Sequence, residues 1–326
     1  MLSPVLAFRP ARVVERLEAR SAACPLSSKD LLAAAAALRL TLPLVRAPTP
    51  GIARAALVAA KQVQSVLGLA MPPGLAPEGW FAAVTAAADE LAAGLPIFLV
   101  GEVAVAGRRD AEVEAAFKAA WRLADAGLTH LTVDLSAVPP EGRAEVLERV
   151  AAPALERGLG LDCVVAPGEE SAARPLFAEL ARRAAAPDMA SLRCEAPEGA
   201  AEARGQVKEL LTLCASLAGT PVLRRGPVTP ELLGSLKGSP VAGCEDGGAA
   251  AAAAVLVIPY APRPPDEGRG AGSLEKAEAE LSEAGRARLE TMAYLEVLDF
   301  LERLGAAGSA LKLARVLERR LAEPGA

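Results

Sequence analysis

The sequence predicts a TIM barrel, a ring of eight parallel strands in which a helix follows each strand. Short apolar runs alternate with alanine-rich helical stretches along most of the 326 residues. From the second run onward they start about every thirty residues, the length of one βα unit. Strands that alternate with helices form a parallel sheet, and eight units close it. A doubly wound open sheet is the competing fold, but no GxGxxG turn follows the first strand.

The apolar runs predict seven strands. They lie at 43–46, 65–70, 96–103, 130–135, 161–166, 191–194 and 221–224. The eighth strand has two candidates, 240–243 and 255–259. The second keeps the spacing of about thirty residues and has the better β sequence, VLVIP. We therefore favour 255–259 as the closing strand, with a helix at 247–254 before it.

Two segments lie outside the predicted barrel of residues 29–262. Residues 1–28 form an N-terminal extension with a short charged helix. Residues 263–326 begin with a proline- and glycine-rich linker and continue as two helices, 274–304 and 309–322. The last helix has an apolar stripe opposite arginines and glutamates. These helices either pack on the barrel as its final layer or pair with another subunit, and we favour the first arrangement.

The composition is that of a globular protein with a core of alanine, leucine and valine. Hydrophobic residues make up 52% of the chain, charged residues 23% and aromatic residues only 3%. The net charge of −5 argues against nucleic-acid binding, which needs a basic surface. We expect a protein partner or self-association into a homo-oligomer, and we leave open a small anionic ligand.

The cysteines and the termini favour a cytoplasmic protein. The five cysteines are widely spaced and form no CxxC motif, so we expect reduced thiols rather than disulfides or a metal cluster. No basic segment followed by an apolar run marks a signal peptide. The longest apolar run, 247–261, is about 15 residues long and too short to insert across a membrane.

Charged side chains gather where the predicted strands end, which is where TIM barrels place their reacting groups. The candidate residues of this barrel mouth are Arg46, Glu102, Asp134, Ser136, Glu195, Glu198, Arg224 and Arg225. One interpretation is a buried ion-pair network that holds the mouth together. The other is a binding site for an anionic or sugar-like ligand.

Several common chemistries are excluded by the residues available. The single histidine, His130, precedes the fourth strand and so belongs at the opposite end of the barrel, as a surface or capping residue. One histidine provides neither a histidine zinc site nor a serine–histidine or cysteine–histidine pair in the mouth. All seven lysines fall on predicted helices or connections, which argues against a Schiff base. Carboxylate chemistry remains, with Mg²⁺ as the metal that carboxylates suit.

Four segments carry a resemblance to a known family. They are PLVRAPTPGIARAALVAAKQVQSVLGLAMPP, WFAAVTAAADELAAGLPIFLVGEV, ADAGLTHLTVDLS and PVLRRGPVTPELL. In order and spacing they resemble, over roughly residues 29–230, the class II metal-dependent ketose-bisphosphate aldolases and their tagatose-bisphosphate relatives. The resemblance implies a TIM barrel in which an acid serves as catalytic base and three histidines bind zinc.

This chain departs from that family at each zinc ligand. The family's third strand ends in His-x-Asp-His, whereas this chain has Glu102 for the acid and Val103 for the histidine. Its Ala-His-Gly after strand six is replaced by PEG at 197–199. Its His-Gly-Gly-Ser at strand seven is replaced by RRGP at 224–227, so the phosphate-binding serine is also lost. Only the acid of strand four and the serine that follows match the family, as Asp134 and Ser136.

The sequence therefore predicts a degenerate, catalytically inactive barrel that acts as a scaffold, regulatory or partner-binding subunit. Some relatives of these aldolases are themselves non-catalytic subunits. We expect Arg224 to fill the vacated zinc position and to pair with Glu102 or Glu198. Neither zinc nor another cofactor is expected.

Two alternatives stay open. In the first, the barrel is a lyase or aldolase acting on a sugar phosphate. Glu102, Asp134 and Glu198 then hold Mg²⁺ or Mn²⁺, and Arg224 and Arg225 bind the substrate. In the second, the protein is a sensor that binds a small anion and passes the signal through its C-terminal helices.

Overall fold

A computed structural model describes residues 4–246 and 272–322. It confirms the TIM barrel. Eight parallel strands form a closed ring in chain order, and β9 pairs with both β8 and β2. The ring consists of β2 (Leu42–Arg46), β3 (Leu67–Ala70), β4 (Pro96–Ala104), β5 (His130–Asp134), β6 (Gly160–Val165), β7 (Met189–Arg193), β8 (Val222–Arg225) and β9 (Gly243–Asp246). A short strand, β1 (Cys24–Pro25), pairs with the start of β4 outside the ring.

Helices surround the ring. They are α1 (Ala11–Val14), α2 (Ser28–Ala37), α3 (Pro50–Val63), α4 (Pro77–Leu91), α5 (Asp110–Ala126), α6 (Arg143–Arg157), α7 (Glu170–Arg182), α8 (Ala200–Ser216), α9 (Pro230–Leu236), α10 (Gly272–Glu280), α11 (Glu283–Leu304) and α12 (Ser309–Ala322). Short 3₁₀ turns occur at Pro4–Phe8 and Pro140–Gly142. No helix of the described residues is long and apolar enough to cross a membrane.

The closing strand differs from the expected one. Gly243–Asp246 completes the ring, next to Leu42–Arg46, and it starts at the last residue of the candidate 240–243. The expectation that 255–259 closes the barrel is wrong, because α9 has only seven residues and the eighth strand arrives early. The segments 247–254 and 255–259 lie outside the described residues.

Close packing inside the ring depends on small residues. A Cβ at Gly68 of β3 would overlap the ring of Phe98 of β4. Phe98 is fully buried, and its ring lies 6.2 Å from that of His130. The ring of Phe98 therefore fills the lower part of the barrel interior. It is one of the few aromatic rings in this sequence.

The N-terminal extension contacts the ends of two barrel helices. The guanidinium of Arg12 donates hydrogen bonds to the carbonyl oxygens of Ala124 (3.0 Å), Leu128 (2.6 Å) and Arg157 (2.8 Å). These carbonyls lie at the C-terminal ends of α5 and α6, where backbone acceptors lack helical partners. Burial lowers the pKa of Arg12 to about 10, with a further contribution from the neighbouring charge of Arg157. Arg12 thus caps two helices at once.

The C-terminal helices lie against the same barrel. Glu278 of α10 accepts a hydrogen bond from the backbone of Gly51 at the start of α3 (2.9 Å). The next helix, α11, packs along α3. At the far end of α3, the hydroxyl of Ser309 accepts a hydrogen bond from the backbone of Val66 (2.9 Å). The division of the chain at residues 28 and 262 stays a prediction.

Candidate functional site at the mouth of the barrel

The upper end of the barrel interior is occupied by charged side chains from six strands. We call this set the mouth network. It consists of Arg46, Glu102, Asp134, Arg193, Arg225 and Glu245. Each residue stands at or near the C-terminal end of its strand, and successive strand residues point to opposite faces. The network therefore lies where a barrel enzyme places its reacting groups.

The deepest ion pair joins Arg225 to Glu245. The Nε of Arg225 donates to Oε2 of Glu245 at 2.5 Å, and both side chains are almost fully buried. Burial alone would raise the pKa of Glu245, but the charges and hydrogen bonds of Arg225 and Arg46 outweigh it and lower that pKa to about 2. Burial likewise opposes the charge of Arg225, and Glu245, Glu102 and Asp162 together raise its pKa. The pair is charged at neutral pH.

A second group of ion pairs lies above this one and reaches solvent. Arg46 donates to Glu245 at 2.7 Å and lies 3.5 Å from Glu102. Arg193 contacts Glu102 at 2.5 Å and Asp134 at 3.3 Å. The side chain of Arg193 is 44% exposed, whereas Asp134 is 9% exposed, so the guanidinium covers the carboxylate. Every carboxylate of the mouth network therefore has an arginine partner.

A chain of polar side chains continues from the network to the lower end of the barrel. The Oδ2 of Asp162 accepts hydrogen bonds from Ser191 (2.8 Å) and Thr132 (3.1 Å). The hydroxyl of Thr132 lies 3.0 Å from Nε2 of His130, whose Nδ1 lies 2.9 Å from the hydroxyl of Ser28. Contrary to the sequence-based expectation, His130 is fully buried and is not a surface residue. Its side chain points into the barrel because it begins an inward-facing row of β5.

Three buried polar atoms in this region have no hydrogen-bond partner among the residues that the structure describes. They are Nη1 and Nη2 of Arg225 and Oδ1 of Asp162. Nη1 lies 3.7 Å from Oδ2 of Asp162, and Nη2 lies 3.7 Å from Oε2 of Glu102, which are ion-pair rather than hydrogen-bond distances. On the side away from Glu245, the guanidinium of Arg225 is therefore held by the charges of Asp162 and Glu102 rather than by hydrogen bonds.

Arg224 does not belong to the mouth network, which corrects its predicted role as the central cation. Its side chain is fully buried on the outer face of β8, against α8. Its guanidinium donates to the carbonyl oxygens of Gly226, Pro227 (2.5 Å) and Glu195 (3.2 Å), and to the side chain of Gln206 (3.2 Å). Neighbouring residues of a strand face opposite ways, so Arg224 and Arg225 cannot both point inward.

Glycine at position 226 makes this arrangement possible. Its φ of 106° lies in the left-handed region, and a Cβ there would overlap the carbonyl oxygen of Cys194. The turn it allows brings the carbonyls that follow β8 back toward Arg224. Arg224 therefore fixes the loop after β8.

Three other predicted site residues also lie outside the network. The side chains of Ser136, Glu195 and Glu198 are exposed. Glu195 contributes only its backbone carbonyl, to Gln206 and Arg224. Within residues 4–246 and 272–322, neither Glu195 nor Glu198 pairs with an arginine, because β7 ends at Arg193 and both residues stand in the loop beyond it. Arg46, Glu102, Asp134 and Arg225 are the predicted residues that the structure brings together.

Three residues of the site were missed by the sequence analysis. Glu245 lies on the closing strand, which was placed elsewhere. Arg193 is the last residue of β7, and the sequence pattern favoured the acids after it. Asp162 lies in the middle of β6 rather than at its end. The one sequence signal for a role in the site is that it is a charged residue in an otherwise apolar strand.

The side chains of the site are poorly suited to bind a metal ion. Within residues 4–246 and 272–322, no group of three or more histidine, cysteine, aspartate or glutamate side chains is arranged to hold a metal ion. The thiols are also unsuited to act as ligands or nucleophiles, because burial raises the pKa of each, for example to about 11 for Cys194 and Cys214.

Solved structures with the same fold include two aldolases. The protein has a TM-score of 0.62 and 11% sequence identity to the YdjI aldolase of Escherichia coli K12 over 87% of this chain and 98% of that one. For a protein assigned as a fructose-1,6-biphosphate aldolase, from Coccidioides immitis, the TM-score is 0.64 and the identity 16%, with the same coverage. No family model and no curated protein matches the sequence. At these identities the likeness shows a shared, aldolase-like fold.

Proposed function

We propose that this chain is a non-catalytic, aldolase-like barrel that acts as a scaffold or regulatory subunit, by binding a protein partner or another copy of itself. One observation carries the proposal. The place where a barrel enzyme positions its reacting groups is filled by arginines that pair with each carboxylate of the mouth network. In such a cluster an arginine already neutralises each carboxylate, whereas catalytic groups must be free to contact a substrate.

The positions that correspond to the family's zinc ligands support this proposal. Val103 has no donor atom, and Glu198 is exposed in the loop after β7. At the third position Arg225 points into the mouth, and its positive charge would repel a metal cation. The single histidine is held between Ser28 and Thr132 in the lower half of the barrel. Zinc-dependent aldol cleavage therefore lacks its ligands in the described residues.

A carboxylate site for Mg²⁺ or Mn²⁺ is less well supported. Glu102 and Asp134 face the same opening, but both contact the guanidinium of Arg193. A metal ion there would have to displace that arginine, and Glu198 does not approach the other two acids to provide a third ligand. For this reason the proposal includes no metal and no cofactor.

Metal analysis and an aldol-cleavage assay test the proposal. The purified protein should contain no stoichiometric zinc, and Zn²⁺, Mg²⁺ and Mn²⁺ should leave its melting temperature unchanged. Ketose bisphosphates should not be cleaved at any metal concentration. The matched variant is Arg193→Ala, which uncovers Glu102 and Asp134 without touching the buried pair. A metal-dependent rise in melting temperature confined to this variant would support the view that Arg193 keeps metal ions away from Glu102 and Asp134. Metal-dependent cleavage by the unaltered protein would overturn the proposal.

A further inference from the structure

We propose that the face formed by α3, α4 and α11 is a self-association surface, on which a second copy of this chain binds about a two-fold axis parallel to α11. In each copy, the exposed side chain of Leu295 enters a groove on the other copy. The inference rests on the proposed function, which calls for a protein partner or another copy, and it names the second copy as that partner.

The groove lies over the outer side of α3, between α4 and α11, and we call it the α3 groove. Its volume is about 430 Å³, and its large apolar side chains are Val58, Leu91 and Tyr294. Ala55 stands one turn before Val58 and is too small to fill the space between the flanking helices. Val58 is therefore 39% exposed, although it lies in the middle of a long helix. The described residues leave this apolar surface uncovered, and the groove has room for an apolar side chain from outside.

Leu295 projects beside the α3 groove. It is 57% exposed, more than any other large apolar side chain that the structure describes. Helical periodicity places it on the outer side of α11, roughly a quarter turn from Tyr294 and the other α11 residues that line the groove. A two-fold axis between a projection and a neighbouring recess puts each projection into the recess of the other copy, as an isologous contact requires. The two features together therefore fit a second copy of the same chain.

The charges around the groove are complementary in the same arrangement. Arg54 donates two hydrogen bonds to Glu90 (2.8 and 3.1 Å) and lies 3.9 Å from Glu290, so one guanidinium faces two carboxylates. Arg288 stands two turns before Leu295, on the same side of α11, and makes no hydrogen bond or ion pair with a described residue. Along the helix it is level with Glu290. A two-fold axis parallel to α11 keeps this level, so it brings Arg288 of one copy to the two carboxylates of the other.

The face is also large enough for a dimer. α11 has 22 residues and is about 33 Å long. Packed helices lie about 10 Å apart, so α3, α4 and α11 together present a face on the order of 800 Å². Each partner of a stable complex buries about 800 Å². The contact therefore needs no further element of the chain.

Analytical ultracentrifugation over a dilution series tests this inference. The unaltered protein should sediment as a dimer that dissociates on dilution. Leu295→Asp should raise the dimer dissociation constant more than about tenfold, because it puts a charge at the apolar centre of the contact. Leu311→Asp is the matched control, since Leu311 of α12 is equally exposed (56%) but lies outside the face, and it should leave the dissociation constant unchanged. If circular dichroism shows that Leu295→Asp does not fold, Leu295→Ala replaces it, with a smaller rise expected.

A charge exchange tests the two-fold arrangement itself. Arg288→Glu and Glu90→Arg should each weaken the dimer, because each then brings like charges together. An equal mixture of the two variants should form a dimer again, since both contacts of the mixed pair join a positive to a negative side chain.

The inference is overturned if the unaltered protein is a monomer at every concentration, if Leu295→Asp dimerises as well as Leu311→Asp does, or if the mixture of charge variants stays monomeric. These outcomes are separate from the test of the proposed function. A dimer that cleaves ketose bisphosphates would overturn the proposed function alone, and an inactive monomer would overturn this inference alone.

Discussion

Arg224 and Arg225 are neighbours in the chain, yet their guanidinium groups lie on opposite sides of the barrel wall. Arg225 points inward and pairs with Glu245, whereas Arg224 points outward and binds the carbonyl oxygens of Gly226 and Pro227 in the loop after β8. Both side chains are almost completely buried. The two arginines therefore have separate functions, one in the interior charge balance and one in the shape of the mouth.

Arg225→Ala should destabilise the protein strongly. Removing the guanidinium leaves Asp162 buried without an arginine partner and Glu245 with Arg46 alone, and breaking a buried ion pair costs about 3–5 kcal/mol. Urea unfolding measures the loss. The double variant Arg225→Met with Glu245→Leu should recover part of it, because neither of these two positions then carries a buried charge, although Asp162 still lacks its arginine partner. A double variant as unstable as Arg225→Ala would show that the charge of Glu245 is not a source of the loss.

Stability should fall as the solution is acidified, and Glu245 should contribute to the fall. Its pKa in the folded protein is lowered to about 2, below the ordinary value of 4.5. A lowered folded-state pKa stabilises the protein above the unfolded pKa, and this stabilisation is lost as the pH falls toward 2, on the order of 2–3 kcal/mol. Denaturant unfolding at a series of pH values measures the slope. Glu245→Gln should flatten it between pH 5 and pH 2, and an unchanged slope would remove Glu245 as a source.

The barrel itself could be predicted from the sequence because its signal is repeated along the chain. Each strand is an apolar run and each unit has a similar length, so one misplaced strand leaves the fold class intact. Because α9 has only seven residues, the last βα unit is shorter than the others and the spacing predicted the wrong closing strand. Glu245 lies on the true closing strand, β9, and was therefore absent from the predicted site. A local irregularity thus has little effect on the fold and a large effect on the site.

Besides the position of the closing strand, the sequence only partly predicts which way the side chains of a strand point. The alternation of strand residues forbids Arg224 and Arg225 from sharing one face, and it could have been applied before the structure was known. Which of the two points inward depends on where β8 begins, and strand boundaries are poorly defined by composition. The pairing of Arg193 with Glu102 spans 91 positions and depends on the closure of the ring, which no local pattern contains.

Arg193→Ala should have a small effect on stability, in contrast to Arg225→Ala. Its side chain is 44% exposed, and ion pairs open to solvent contribute about 0–1 kcal/mol. Thermal unfolding of the two variants side by side, at low and at high salt, measures the difference. The small loss for Arg193→Ala should shrink further in high salt because exposed charges are screened. A loss as large as that of Arg225→Ala would mean that the mouth is far more closed to water than the exposure of Arg193 indicates.

Arg224→Ala should lower stability because of the loop rather than the network. The guanidinium donates to three backbone carbonyls and to Gln206 within a buried space, and a buried acceptor left without a partner costs roughly 1–3 kcal/mol. We therefore expect a loss of about 2–3 kcal/mol in urea unfolding, together with faster hydrogen exchange at 226–229. Arg224→Lys, which keeps the charge but offers a single donor group, should recover only part of it. Since Arg224 contacts no carboxylate of the mouth network, its effect should add to that of Arg225→Ala in the double variant. Strong non-additivity between the two arginines would show that the barrel wall couples them, contrary to their separate contacts.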